Sequence, residues 1–267
     1  MIFLKFERGI QMQDKYEALT AYYLSSAEQY RFEPDKAHNI EFVTTMHLLL
    51  KHLPRECSVL DCCAAGGAYA FPLAEAGYKV TAGDLMENHV EILKEENKDG
   101  LLDFIYQGDA LDMPLFADET FGAVLCMGAL YHLKEQSERE KCVAECLRVL
   151  KKGGLFAFAY INRNATYINH FLNNLSGAEN RKNILKTGAN RVFYAMDFGE
   201  SQALADKFPL QKITDAGVDG LIYPIRWRLN EADPADFADY MEYHLATCEQ
   251  ESIIGHSMHG LWIGRKI

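Results

Sequence analysis

Three aspartates, each closing an apolar segment, carry the clearest chemical signal in the 267-residue chain. Asp61 opens Asp61-Cys-Cys-Ala-Ala-Gly-Gly67, a run of small side chains in which backbone can approach a ligand closely. Asp84 follows Tyr78-Lys-Val-Thr-Ala-Gly83, a position from which a carboxylate can accept both hydroxyls of a ribose. Asp109 follows Asp103-Phe-Ile-Tyr-Gln-Gly108 and precedes Ala110-Leu111, which together offer a carboxylate for an exocyclic amine and apolar walls for an adenine ring. A single acidic residue after a strand is commonplace. Three in this order describe one nucleoside pocket at the carboxyl edge of a sheet.

The elements that must position them follow from periodicity. Ser58–Cys63 reads as a short buried strand, and further strands are expected over 78–83, 103–107, 121–126 and 155–160. Helices are expected between them, over 87–98 and over 136–150, where Val143, Cys146, Leu147 and Leu150 form an amphipathic stripe. Strand alternating with helix gives a parallel sheet covered on both faces. Residues 12–52 read as helix, closed by Pro54. Residues 161–208, rich in Asn and aromatics, read as short helices laid over the sheet edge. Strands at 210–216 and 260–266, with a helix over 233–247 opened by Asp233-Pro234, close that edge. The expected division is an N-terminal helical cap (1–52), a cofactor-binding core (53–160), an inserted lid and substrate region (161–208) and the remainder of the core sheet (209–267).

Composition narrows the partners. The net charge of −11 provides no basic footprint for nucleic acid. No apolar run reaches bilayer length, and the first residues do not read as a secretion signal, so a cytoplasmic protein without membrane attachment is expected. Seven cysteines, an odd number without a Cys-x-x-Cys pair, fit reduced core residues; no structural metal is expected.

The pocket residues also carry a family resemblance. Val59-Leu-Asp-Cys-Cys-Ala-Ala-Gly-Gly67 resembles the first motif of class I S-adenosylmethionine-dependent methyltransferases, Asp84-Leu85 the acidic motif after the second strand, and Gln107-Gly-Asp-Ala-Leu-Asp-Met-Pro114 the adenine motif. Leu125-Cys-Met-Gly-Ala-Leu-Tyr-His-Leu133 and Arg148-Val-Leu-Lys-Lys-Gly-Gly154 resemble the fourth-strand segment and the turn before the fifth. More loosely, the segments at His38, Tyr243 and His256 resemble a bacterial subgroup that methylates small molecules. The resemblance implies a Rossmann-like, seven-stranded, mostly parallel sheet with helices on both faces, N-terminal helices and an inserted helical lid. It implies S-adenosylmethionine as cofactor, S-adenosylhomocysteine as product and a small-molecule acceptor. Cys63, Ala65 and Gly67 then line the methionine portion, Asp84 the ribose, and Asp109 with Ala110 the adenine, with Asp61, Ala64 and Leu85 as further cofactor contacts. Met127 offers its carbonyl to the methionine amine, next to Gly128. The chain departs from the family's Gly-x-Gly-x-Gly loop, because Cys63 and Ala65 stand at its first two glycine positions.

A methyl sulfonium is already activated, so a base is needed only for an acceptor protonated at working pH. His132 is the first candidate, with capping of the following helix as its other reading. Glu41 and His38 are further candidates that also fit mutual pairing. Tyr16, Tyr22, Tyr160, Arg163 and Tyr194 are the expected acceptor contacts, although helical spacing equally places Tyr16, Tyr22 and Tyr23 in a core. His256 and His259 read as structural. Two alternatives remain at this level: a non-catalytic binder of the same cofactor or its product, and a nicotinamide-dependent oxidoreductase, whose Gly-x-Gly-x-x-Gly fingerprint is absent from 61–68.

Overall fold

The computed structural model describes Leu19, Tyr22, Tyr23 and residues 35–267. Most of the N-terminal helix expected from sequence, including Tyr16, lies outside these residues. The first described element, α1 (Lys36–His52), starts on Asp35, whose carboxylate accepts from the His38 N–H, and ends with Leu53 as its C-cap, directly before Pro54.

The expected alternation follows. β1 (Ser58–Asp61) leads into α2 (Ala70–Glu75), β2 (Lys79–Asp84) into α3 (Glu87–Glu96), and β3 (Phe104–Gln107) into β4 (Phe121–Cys126). α4 (Gln136–Val149) buries Val143, Cys146 and Leu147 of the stripe anticipated from spacing, together with Cys142, while Leu150 already belongs to the following strand. β5 (Leu150–Asn162) begins earlier and ends later than expected, because strand pairing continues on either side of the apolar run. Next come α5 (Arg163–Asn173), α6 (Ala178–Thr187), β6 (Ala195–Met196) and α7 (Glu200–Ala205). β7 (Leu210–Gly217), α8 (Ile222–Glu231), α9 (Pro234–Thr247), α10 (Glu251–Ile254) and β8 (His259–Lys266) complete the order. Asp233 caps α9 by accepting from the Ala235 and Asp236 amides, as the Asp-Pro pair anticipates.

The sheet runs β3-β2-β1-β4-β5-β8-β7, with β6 alongside β5. All pairings are parallel except those of β8, which lies antiparallel between β5 and β7. The sheet therefore has eight strands instead of seven. The addition is β6, two residues of the segment expected to be only helical, paired with Ile161 and Asn162 at the extended end of β5. Strand order reverses between β1 and β4, which opens a crevice at their carboxyl ends. Period-two alternation feeds two cores. Val59, Leu125 and Leu155 pack with α1 and α2 on one face. Leu60, Val124, Phe156, Phe158 and Trp262 pack with α4 on the other. Each such buried side chain contributes about 1.5–3 kcal/mol. These layers fix the strand ends on which the pocket depends.

Candidate active site

The crevice is a cavity of about 510 Å³, lined by the loop 62–69, by Asp84, Leu85, Met86 and His89, by 108–111, and by 127–133 together with Tyr23. Among the expected cofactor contacts, Cys63, Ala64, Ala65, Gly67, Asp84, Leu85, Asp109, Ala110, Met127 and Gly128 all lie on its wall. Asp61 does not. Its side chain is wholly buried beneath the loop. Burial pushes its carboxyl up to about 8, partly offset by the Cys63 amide and reinforced by the nearby Asp84 charge.

Asp84 is the hinge of the cavity. One oxygen accepts from the Ala65 amide at 2.9 Å; the other accepts from the Met86 amide at 2.9 Å and contacts His89 Nδ1 at 3.1 Å. The carboxylate thereby ties the first loop to the start of α3. Ala65 sits at φ +47 and Gly67 at φ +89. A Cβ on Gly67 would meet the Phe71 ring at 2.5 Å, so only glycine serves there. Ala65 is the costlier substitution of the family pattern, because an L-residue in this region is strained by about 1–2 kcal/mol. Ala65→Gly is accordingly expected to raise stability by about 0.5–1 kcal/mol. An unchanged or lower denaturant midpoint would contradict that. Cys63 carries no such strain: its Sγ accepts from the Gly128 amide at 3.1 Å and joins the first loop to the segment after β4. Asp109 accepts from the Leu111 amide, and the Met127 carbonyl accepts from the Tyr131 hydroxyl.

A second cavity of about 310 Å³ shares Tyr23 and Tyr131 with the first. Aromatic rings of Tyr22, Phe193 and Tyr223 line it, along with His38, His170, His259, Asn169 and Asn190. At the junction, Tyr23 Oη lies 2.7 Å from His132 Nε2, and the Tyr23 ring meets the rings of His89 and His132 edge-on. His132 Nδ1 faces the Val192 carbonyl at 3.3 Å. His132 thus anchors Tyr23 and does not cap α4, whose N-cap is Glu135.

Several expected roles are corrected. Tyr160 lines neither cavity. It shares a sheet face with Phe156 and Phe158, and its hydroxyl donates to Asp215 at 2.7 Å. Arg163 pairs with Asp197 and Glu200, while the Tyr194 hydroxyl donates to Glu200 beneath the Arg139 guanidinium; neither residue lines either of these two cavities. His38 and Glu41 do not pair: His38 Nδ1 meets Asp35 at 2.9 Å, and Glu41 lies 3.3 Å from His259 Nδ1. Tyr22 lines the second cavity. Sequence reading missed His89, Tyr131, Phe193 and Tyr223. Only His89 left a local trace, five residues beyond Asp84 in the first turn of a helix.

Residues 60–158 match the sequence family described as methyltransferase domain. The ubiquinone biosynthesis O-methyltransferase of Coxiella burnetii is 28% identical over 132 residues, 49% of this chain and 54% of that protein. The demethylmenaquinone methyltransferase of Renibacterium salmoninarum is 39% identical over 101 residues, 38% of this chain and 40% of that protein. The match thus spans about half the length of these curated relatives or less. A Thermotoga maritima structure, titled a SAM-dependent methyltransferase and possible histamine N-methyltransferase, superposes with a TM-score of 0.59 at 18% identity, over 95% of this chain and 100% of that one. Residues 60–158 thus match a methyltransferase domain, and the sheet that carries them has the fold of that solved SAM-dependent methyltransferase.

Proposed function

We propose that the protein transfers a methyl group from S-adenosylmethionine to a small-molecule acceptor, with the cofactor in the 510 Å³ cavity and the acceptor in the 310 Å³ cavity beside it. The observation that carries this reading is the junction: a nucleoside-sized crevice with Asp84 and Asp109 on its wall opens, past Tyr23 and Tyr131, into a smaller aromatic chamber. The fit to the cofactor rests on the same wall. The volume suits a ligand of that size. Small residues at 63–67 let backbone approach the methionine portion, and Asp61 lies beneath them as a buried acid.

The sulfonium supplies an activated methyl group, so the chain's own task is alignment and exclusion of water. Asp84 holds the ribose side, Asp109 and Ala110 the adenine side, and the Met127 carbonyl keeps a second lone pair for the amine. Tyr23, braced by His132, separates the two chambers and sets the approach of the acceptor. The names of the curated relatives concern small molecules, ubiquinone biosynthesis and demethylmenaquinone, which supports an acceptor of that size class. No helix among the described residues is long and apolar enough to cross a membrane.

Titration calorimetry tests the cofactor half. One equivalent of S-adenosylhomocysteine should bind, and NAD should give no heat. Binding of NAD, or of neither ligand, would refute the reading.

A further inference from the structure

We infer that the outer face of α5 and α6 docks on an anionic lipid surface, through an apolar stripe flanked by lysines. A helix on a folded protein ordinarily turns its apolar side inward. α5 does the reverse. It buries only Ala165 and Thr166. Ile168, Phe171 and Leu172 recur at i, i+3 and i+4, and Leu175 continues the row in the turn that follows. These four side chains are 45%, 47%, 52% and 75% exposed, and Leu185 of α6 adds a fifth at 48%. Thr166, Asn169 and His170 line the second cavity from the opposite side of α5, so the stripe is no part of that chamber. The turn is fixed, because the Arg181 guanidinium donates to the Asn174 and Leu175 carbonyls and lies 5.2 Å from the centre of the Phe171 ring. A row of large apolar side chains held in water marks an interaction surface.

Charge decides what covers it. Residues 163–191 hold Arg163, Arg181, Lys182, Lys186 and Arg191 against the single acid Glu179, a net of 5 − 1 = +4 in a chain whose total is −11. Arg163 and Arg181 serve the fold, the first through Asp197 and Glu200 and the second through the turn after α5. Lys182, Lys186 and Arg191 are left exposed. Lys182 and Lys186 stand one helical turn apart on α6, on the side away from the buried Arg181 and Ile184. A second copy of this chain is a poor occupant, because a two-fold contact would set the same lysines against each other. An anionic bilayer satisfies both features: its headgroups attract the cations, and its acyl boundary takes the apolar side chains. An overall charge of −11 conceals the patch, and peripheral attachment needs no bilayer-length run, so neither composition nor hydropathy announces it. Docking by this face sets α5 between the lipid and the second cavity. Lipid binding of this kind is independent of the proposed reaction.

Vesicle sedimentation with the full chain is the test. The protein should pellet with phosphatidylcholine vesicles that carry about 30% phosphatidylglycerol, and about 0.5 M salt should release it. It should stay in solution with phosphatidylcholine alone. Lys182→Gln combined with Lys186→Gln should weaken partitioning onto the anionic vesicles by roughly 10- to 30-fold. Leu172→Gln combined with Leu175→Gln should weaken it by at least about 10-fold. All four side chains are exposed, so both double variants should keep the melting temperature of the parent, which separates lost docking from lost folding. Equal retention by neutral and anionic vesicles, retention by neither, or retention that either double variant leaves intact would overturn the proposal. A dimer of the parent, seen by analytical ultracentrifugation and dispersed by Leu172→Gln with Leu175→Gln, would give the face to a second copy and overturn it as well.

Discussion

Exchanging Asp84 for alanine is expected to weaken S-adenosylhomocysteine binding by about 2–3 kcal/mol, roughly a 30- to 150-fold rise in Kd. Two losses combine. The ribose hydroxyls lose a charged acceptor, and the first loop loses its anchor, because the same carboxylate holds the Ala65 amide and, through Met86 and His89, the start of α3. The second loss is amplified by the left-handed Ala65, whose strained conformation persists only while neighbouring contacts enforce it. Asp84→Asn separates the two effects. An amide accepts through one oxygen only, so its NH2 must face either the Ala65 or the Met86 amide. We expect it to be nearly as damaging as alanine and to lower the melting temperature of the ligand-free protein. Calorimetry and thermal unfolding on the two variants provide the check. An unchanged Kd in both would remove the ribose from this corner of the cavity.

That expectation was open to sequence reading because its residues are local. Asp61, Asp84 and Asp109 each end or follow a strand whose apolar run is contiguous, and a parallel sheet brings consecutive strand ends to one edge whatever the remaining chain does. The acceptor chamber has no such property. His38, Tyr131, Phe193, Tyr223 and His259 come from five distant segments, gathered by the β5–β6 pairing and by the packing of α8 on α1. No spacing in the chain announces those contacts. Tyr160 is a different case, since its place was legible. It has the same parity as Phe156 and Phe158, and it lies across from Gly260, whose missing side chain makes room for the ring. Arg163 and Tyr194 show the limit of such reading, because polar groups in an irregular segment serve ion pairs within the fold as readily as they serve ligands.

Asp61 leads to the other large effect, on stability against pH. An exposed aspartate in the unfolded chain ionises near 3.9, whereas in the folded protein the buried Asp61 carboxyl does so only at about 8. The folded state therefore binds the extra proton, and the stability present below about pH 4 is lost as pH rises toward 8. Each pH unit in that window costs about 1.4 kcal/mol, so unfolding free energy should fall by about 3–4 kcal/mol between pH 5 and pH 8 from this one group. Asp61→Asn keeps the shape of the neutral acid and removes the ionisation. Its stability profile should be flat across the window, and at pH 8 it should exceed the parent. Denaturant titrations at several pH values decide the matter: parallel profiles for the two proteins would mean that Asp61 is ionised in the fold. The cofactor's cationic amine then acquires a specific consequence. By supplying a positive charge near this buried carboxyl, it favours the carboxylate, so binding should release a proton and tighten from pH 6 to pH 8 in the parent. In Asp61→Asn that dependence should vanish. Calorimetry in two buffers of different ionisation enthalpy measures the released proton directly, and equal apparent enthalpies for the parent protein would sever the link between this buried acid and the ligand above it.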